Sequence, residues 1–468
     1  MSDTKYRRVI IRGVLTLKSD LHIGTGGVYF YEGRKNPETG QLEQHEVSAI
    51  ALDVSGKPYI PGSSLRGLLA SLTPPKSPQY RRWFGDPRGH KEDHGEMGAL
   101  RVYDATLEGE AATHFMSRTS IEPVTGTAAQ HQLATHQRVN AGAKFKVEIG
   151  FDTRPDESAE LITDADIQAL LTLLQRLNGE QIGTGKSVGQ GLLEWELDSD
   201  GVSALSDTSL QRWLQASLEG DEPKEIRGFY QNLSFRDIAL GGSTGWITED
   251  FKLIARSPIL INDPHLVEDK EGTPKLVFSH YPDKETGSFT AIIPGSTLKG
   301  WFLARCRKIL LTLNQGARET TVDGMLGQLF GSKSSASLIR FMDAKVTFFQ
   351  ADEHIQTFTA VDRFTGGVKD GALYTVKALS LPEDRSFEGG VMYHKKKLKG
   401  WMQLLLLFAW RDAEEGDLVL GWGKARGYGC LQLLSDHGGT TAWIESCRGQ
   451  LADWENELLT ELEQENGK

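Results

Sequence analysis

One glycine-rich block occurs twice in this chain, and the rest of the fold's punctuation repeats with it. Gly183-Thr184-Gly185-Lys186-Ser187-Val188-Gly189-Gln190-Gly191 returns as Gly421-Trp422-Gly423-Lys424-Ala425-Arg426-Gly427-Tyr428-Gly429. Ile60-Pro61-Gly62-Ser63-Ser64-Leu65-Arg66-Gly67 returns as Ile293-Pro294-Gly295-Ser296-Thr297-Leu298-Lys299-Gly300. Trp83-Phe84-Gly85 pairs with Leu329-Phe330-Gly331, Tyr103-Asp104-Ala105 with Met342-Asp343-Ala344, and Val124-Thr125-Gly126 with Phe364-Thr365-Gly366. The matches keep their order at spacings of 233 to 246 residues. That period is too long for a solenoid, whose short repeats share one core, so it predicts two copies of one domain. A length of 468 residues agrees with two or three domains. We place the first domain at 1–199, a polar linker with a short helix at 200–245, and the second domain at 246–468.

Composition narrows the class. Nothing approaches the ~18 uncharged apolar residues of a membrane helix; the longest apolar run, Leu404 to Trp410, is flanked by charge and reads as a buried helix. The opening Met1-Ser2-Asp3-Thr4-Lys5 lacks the apolar core of a secretion signal. Three scattered cysteines, Cys306, Cys430 and Cys447, form no disulfide framework and no cysteine zinc site, which points to a reducing cytoplasm. A net charge of −11 argues against a nucleic-acid binder. Much of it is local, because Asp453, Glu455, Glu457, Glu461, Glu463 and Glu465 crowd the C-terminus while the repeated motifs carry Arg66, Lys186, Lys299, Lys424 and Arg426.

The element order is the same in both copies. Tyr6 to Leu17 and Phe251 to Ile261 alternate as half-buried strands do. The Pro-Gly-Ser motif opens a helix, over Ser63 to Leu72 and Ser296 to Leu313, with Ser63 or Ser296 as the expected N-cap. A strand ending in Asp-Ala follows, then an extended excursion and another strand (Lys144 to Phe151; Phe387 to Tyr393). The second helix is capped by Thr163 in copy one and spans Leu398 to Trp410 in copy two. A glycine loop and a last strand close each copy (Leu192 to Leu197; Leu431 to Leu434), and Thr440 to Glu465 reads as one terminal amphipathic helix. The order β-α-β-β-α-β predicts an α+β fold: two tandem ferredoxin-like domains, each an antiparallel sheet with two helices on one face.

Gly183-Thr184-Gly185-Lys186-Ser187 invites comparison with a phosphate-binding P-loop, but Glu180 stands where the leading glycine belongs and Ala425 replaces the required Ser or Thr in copy two. The loop also follows a helix and precedes a strand, the reverse of a P-loop. Two readings remain: a glycine-dense turn, or a loop letting backbone approach a phosphodiester chain with Lys186, Lys424 and Arg426 supplying charge.

Together these motifs resemble the RAMP superfamily of CRISPR proteins, and in particular the backbone subunits of type III effector complexes. The resemblance spans both halves. Its most specific element is the excursion from Ser117-Arg118 through Ile121 and Thr125-Gly126 to Arg138-Val139-Asn140, similar to the family's thumb, a β-hairpin pushed between nucleotides of the guide–target duplex. We place the thumbs at about 117–142 and about 361–390, the second beginning Val361-Asp362-Arg363-Phe364. A tandem pair resembles the fused subunits of type III-D complexes. The resemblance implies that guide CRISPR RNA and target RNA are the ligands, that other effector subunits are partners, and that base pairing supplies specificity while protein holds the backbone. Guide phosphates would then lie at the helix starts, near Gly62, Ser63, Ser64, Arg66, Gly295, Ser296, Thr297 and Lys299. Capping is the alternative role for the serines. Arg118, Arg138 and Arg363 would meet backbone, and Ile121 and Phe364 would wedge against displaced bases.

In that family an aspartate between the first strand and the Pro-Gly-Ser motif cuts target RNA with Mg²⁺ or another divalent metal. Counting back from Pro61-Gly62 reaches Glu46, a departure by one methylene; the same count in copy two reaches Ser279-His280, so Asp269 and then Asp283 are the candidates there. Two alternatives stand beside cleavage: a purely structural subunit, and an endoribonuclease that matures guide RNA. His90 and His94 have helical zinc spacing but sit among glycines without a third ligand.

Overall fold

The computed structural model describes residues 5–35, 42–85, 97–119, 121, 133–153, 161–219, 225–235, 245–266, 274–282, 287–313, 319–369, 371–435 and 438–466. In the first half, β1 (Lys5–Leu17), α1 (Gly62–Leu72), β2 (Leu100–Val102), β3 (Lys144–Asp152), α2 (Asp164–Gln175) and β4 (Leu193–Ser206) follow in that order. β1 lies between β4 and β3, and β2 lies beyond β3, all antiparallel. The second half repeats this with β5 (Trp246–Ala255), α3 (Gly295–Leu313), β6 (Ile339–Phe341), β7 (Phe387–His394), α4 (Gly400–Glu414) and β8 (Cys430–Ser435). Here β5 lies between β8 and β7, with β6 beyond. Both sheets have the ferredoxin-like order, as the element pattern predicts.

Each half has its own core. Val9, Ile11 and Leu15 meet Leu65, Leu69, Ile167, Leu170 and Leu174 in one buried cluster. Phe251, Leu253, Leu298, Phe302, Trp401 and Leu405 belong to another. Period-two burial along β1 and period-3.6 burial along the helices explain why local pattern sufficed to place them. Thr163 caps α2 as expected: its Oγ1 accepts from Asp166 N at 3.3 Å, and Asp166 Oδ2 accepts from Thr163 N at 2.9 Å.

Five expectations need correction. The strand expected over Phe251 to Ile261 is β5, Trp246–Ala255, drawn toward the N-terminus because Trp246 to Asp250 pair with the end of β7. Strand β4 does not end at Leu197; it runs to Ser206, with Val202 and Ala204 paired opposite Ile11 and Val9 in the core. The helix that follows, Asp207–Leu218, is capped by Ser206, whose Oγ accepts from Ser209 N at 3.2 Å. The terminal helix is two, Gly439–Cys447 and Leu451–Asn466, separated by a 3₁₀ turn at Arg448–Gln450. The break turns Trp454, Leu458 and Leu462 into the second core. The second thumb has its strands at Glu353–Phe358 and Tyr374–Leu379, while 387–390 belong to core strand β7, held there by buried Phe387 and Val391. Finally, α1 begins at Gly62 with Pro61 as N-cap and no side-chain cap on that residue, so Ser63 is not the cap.

The first thumb pairs Thr113–Arg118 with Ala134–Val139, and joins Gly24–Lys35 and Leu42–Ile50 in a four-stranded sheet. Both thumbs carry the same cross-strand hydroxyl pair: Ser117 with Thr135 at 2.9 Å, and Thr357 with Thr375 at 3.0 Å.

Candidate functional site

Two of the repeated motifs prove to be one device. The Asp104 carboxylate accepts from Gly62 N at 2.7 Å, and Asp343 accepts from Gly295 N at 2.6 Å. Each helix start is therefore capped by the aspartate at the end of a neighbouring strand. Glycine is required because a Cβ at Gly62 would lie 2.3 Å from the Val102 carbonyl oxygen, and one at Gly295 would lie 2.1 Å from that of Phe341. Ser63 is exposed, and Ser64, Ser296 and Thr297 are half-buried at these starts. Arg66 donates to the Phe84 carbonyl at 2.7 Å, tying helix start to the Phe-Gly element. Lys299 is half-buried, and desolvation lowers its pKa.

The glycine loops are built by local backbone demands. Gly183, Gly185, Gly189 and Gly191 all have positive φ, as do Gly421, Gly423, Gly427 and Gly429, a region that only glycine enters without cost. A Cβ at Gly191 would stand 1.9 Å from the Ile182 carbonyl oxygen, and at Gly429 1.8 Å from that of Leu420. Each loop docks on the segment after the first strand, through Thr184 N to His22 O at 3.0 Å and Trp422 N to Leu260 O at 2.8 Å. The turn reading therefore accounts for the glycines. Lys186, Lys424 and Arg426 remain exposed. The Arg426 guanidinium lies over Trp422 (5.1 Å) and Phe358 (5.5 Å) and donates to the Tyr374 hydroxyl.

The halves meet along a polar seam. The first glycine loop packs against β6 so closely that a Cβ at Gly189 would lie 2.7 Å from Met342 Cα. Arg138 of the first thumb is buried and pairs with Asp343 at 3.1 Å. Asp20, also buried, accepts from Lys345 at 3.0 Å and from Ala141 N at 3.0 Å. Burial opposes the Asp20 charge, yet Lys345 and His114 hold its pKa below the usual carboxylate range.

Glu46 is exposed on the strand Leu42–Ile50, two residues from Ser48 and so on the same face of that strand. Ser48 Oγ lies 3.3 Å from His22 Nε2, and the His22 and His136 rings are 4.9 Å apart. Burial, and then Arg118, push the His136 pKa down to about 4. Sequence reading overlooked His22, His136, Asp20 and His114; their spacing along the chain carries no local pattern, and only the sheet brings them together. Arg118 and Arg363 are exposed, and Ile121 is 49% and Phe364 97% exposed. The Phe364 turn is held by Asp362, which accepts from Phe364 N (2.9 Å) and Thr365 N (2.8 Å).

Asp269 and Asp283 lie outside the described residues, as do His90 and His94. The count that led to Ser279-His280 is explained by the structure. Ser279 N bonds to Ile261 O just as Ala51 N bonds to Ile23 O, and both bonds are 2.8 Å long. Ser279 is therefore the counterpart of Ala51, not of Glu46, because the longer turn lies between it and the helix. Asp263, buried beside Ser279, has its pKa pushed up to about 6 by burial. Among the described residues no three His, Cys, Asp or Glu converge to hold a metal. A lone exposed carboxylate such as Glu46 still fits a divalent cation whose other ligands are RNA phosphates and water.

A duplicated ferredoxin-like fold with carboxylate-capped helix starts, glycine loops and paired hairpins defines the class: the chain belongs to the RAMP superfamily, whose sequence profile matches residues 14–194 and 252–432. Among individual proteins it is similar to the CRISPR system Cms endoribonuclease Csm3 of Methanocaldococcus jannaschii, 25% identical over 214 residues, 40% of this chain and 78% of that protein. The protein of the same name from Enterococcus italicus is 23% identical over 217 residues, 42% of this chain and 92% of that protein. Each relative is thus about the size of one half. No described helix is long and apolar enough to cross a membrane.

Proposed function

We propose that this chain is a double backbone subunit of a type III CRISPR effector complex, binding guide RNA across both halves and cutting paired target RNA. The observation that carries the reading is the seam. The first glycine loop rests on β6 beside the capped start of α3, so the two sets of motifs adjoin instead of lying on separate bodies. Exposed Lys186, Lys424, Arg426, Arg118 and Arg363 supply charge for backbone contacts, which carry affinity without sequence preference. Ile121 and Phe364 stand out from the hairpins, where an apolar side chain can stack on or wedge between bases.

For cleavage, Glu46 is the acid of the first half, with Asp269 and then Asp283 the candidates in the second. A bound Mg²⁺ or similar ion would polarise the scissile phosphate and lower the pKa of the attacking hydroxyl. Glu46 would hold that ion or orient the nucleophile, with His22 and Ser48 fixing the neighbouring backbone. The cytoplasm is the compartment this role requires.

Two measurements test the reading. Chain purified from its native source carries a small RNA, and RNA-free preparations from intact complex would refute the binding role. The assembled complex with Mg²⁺ and complementary target yields cuts that disappear one site at a time in Glu46→Ala, Asp269→Ala or Asp283→Ala. Identical products from all three would remove these acids from catalysis and leave a structural subunit. That second reading has one observation in its favour, the glutamate where relatives of this kind are expected to carry aspartate.

A further inference from the structure

The face of each sheet turned away from its core carries a triad of side chains at matched positions, and the two triads differ in charge. Leu15 pairs with Phe145 and Leu253 with Phe387. Counting from those pairs, Arg8 and Asp152 correspond to Trp246 and His394, while Arg101 corresponds to Arg340. In the first half Arg8 and Arg101 share the Asp152 carboxylate, Arg101 at 2.8 Å. Beside them Arg12 and Arg227 share Glu148, at 2.8 and 3.3 Å. Each of these four arginines has a carboxylate.

The second half lacks that balance. With His394 in place of Asp152, Arg340 has no ion-pair partner on its own sheet among the described residues. Its guanidinium stacks over Trp246 at 3.5 Å, and the His394 ring lies 5.4 Å from the same indole. Nη1 of Arg340 is buried without a hydrogen-bond partner among the described residues, as is Nδ1 of His394. The acid acting on Arg340 is Glu180, reaching across the seam from the first half, where Lys186 also stands. Immediately after His394 the chain turns through Lys395, Lys396 and Lys397, all exposed, with Lys395 N bonded to Gly245 O at 3.0 Å. Burial first, then Lys397, lowers the His394 pKa, with Arg340 and Lys396 acting in the same direction.

Glu180 offsets part of this charge, and the remaining cations repel one another, an arrangement that a bound anion relieves. An aromatic ring with neighbouring cations suits single-stranded nucleic acid. We propose that Lys395, Lys396, Lys397, Lys186 and the Trp246-stacked Arg340 form a phosphate-binding site for a single-stranded RNA segment. It lies beside the end of β7 at the seam, adjoins the first glycine loop through Lys186, and is additional to the helix starts and thumbs. The proposal rests on the RNA-binding reading above. The exposed lysines make the contacts; Arg340 contributes its field and, with the indole, fixes the shape of the site.

The test uses full-length chain and an unstructured single-stranded RNA of mixed sequence, with binding followed against salt. Each lost phosphate contact lowers the slope of log K against log salt by about 0.7. The variant Lys395→Gln/Lys396→Gln/Lys397→Gln should therefore lose about 2 from the slope and bind roughly a hundredfold more weakly at about 0.1 M salt. A control with the same charge change elsewhere, Lys76→Gln/Lys308→Gln/Arg448→Gln, should keep the wild-type slope. Equal losses in both variants would show general attraction and overturn the site. So would wild-type binding in the triple-lysine variant when Lys424→Gln/Arg426→Gln is weakened, an outcome that leaves the RNA-binding reading standing. Failure of the wild-type chain to bind RNA at all would bring down both. All six substituted positions in the two triple variants are exposed, so folding is not at stake.

Discussion

Asp104 and Asp343 do the same local work with different neighbours, which makes them a natural experiment. Both cap a helix start, a contribution of about 1 kcal/mol. Asp343 also holds buried Arg138, and stripping one partner from a buried pair costs about 3–5 kcal/mol. Asp104→Ala should therefore lower stability by about 1 kcal/mol and Asp343→Ala by at least about 3, read from urea unfolding midpoints. Gly62 gives a second contrast. Gly62→Ala forces a Cβ against the Val102 carbonyl and should cost about 1–3 kcal/mol, while Gly67→Ala, in the same helix with no atom of the described residues within 4 Å of the added carbon, should be neutral or gain up to about 1 kcal/mol. His136 sets a pH dependence. Its folded pKa lies below its ordinary value, so the unfolded chain binds the proton more readily. Stability is then full above about pH 6.5 and falls as pH drops toward 4. His22, Arg118 and Arg138 all oppose a charge on that ring. His136→Asn should flatten this part of the pH–stability curve; an unchanged curve would assign the acid sensitivity elsewhere. None of these pairings was legible in the sequence, since Asp104 lies 42 residues from Gly62 and local pattern does not reach that far.

Whole elements were far more legible. The strands and helices of both sheets announce themselves by period, and the Thr163 cap by its acidic first turn. Four element-level readings failed where tertiary contact overrode pattern. Strand β5 starts at Trp246, earlier than expected, because its first residues pair with the end of β7. Strand β4 runs past Leu197 because Val202 and Ala204 find partners in β1, and the terminal helix breaks so that Trp454 can reach Gly400. The second thumb shifts toward the N-terminus because Phe387 is needed in the core. The last helix also serves α4 directly: Glu457 accepts from Trp401 N at 3.2 Å. Ending the chain before Leu451 should therefore uncover Trp401 and Met402 and leave the second half prone to aggregation, as a light-scattering melt would record. At the thumb tip the expectation is opposite. Phe364→Ala should change stability by less than about 0.5 kcal/mol while weakening RNA binding by about 1–3 kcal/mol, the worth of one base stack. Undiminished binding would remove Phe364 from the interface.

The molecule as a whole is two separate cores joined by a polar seam. The duplication was fully visible in the motif spacing. The seam was not, because Arg138, Asp20 and Lys345 fall in segments whose local pattern says only strand or loop. Coupling between the halves should depend on those buried pairs. Arg138→Met is expected to split thermal unfolding into two calorimetric transitions, whereas one undivided transition would show that other contacts suffice. The seam also joins unlike surfaces, the glycine loop of one half against the second strand of the next. A junction of that sort is not self-cancelling in the way a two-fold axis is. Among the described residues, Gly427, the counterpart of Gly189, has nothing within 4 Å of where its Cβ would stand, and Asp104 has no counterpart of Arg138 across from it. The polypeptide is thus polar along its length, like a brick with a stud at one end and a socket at the other, and its two extremities are chemically distinct.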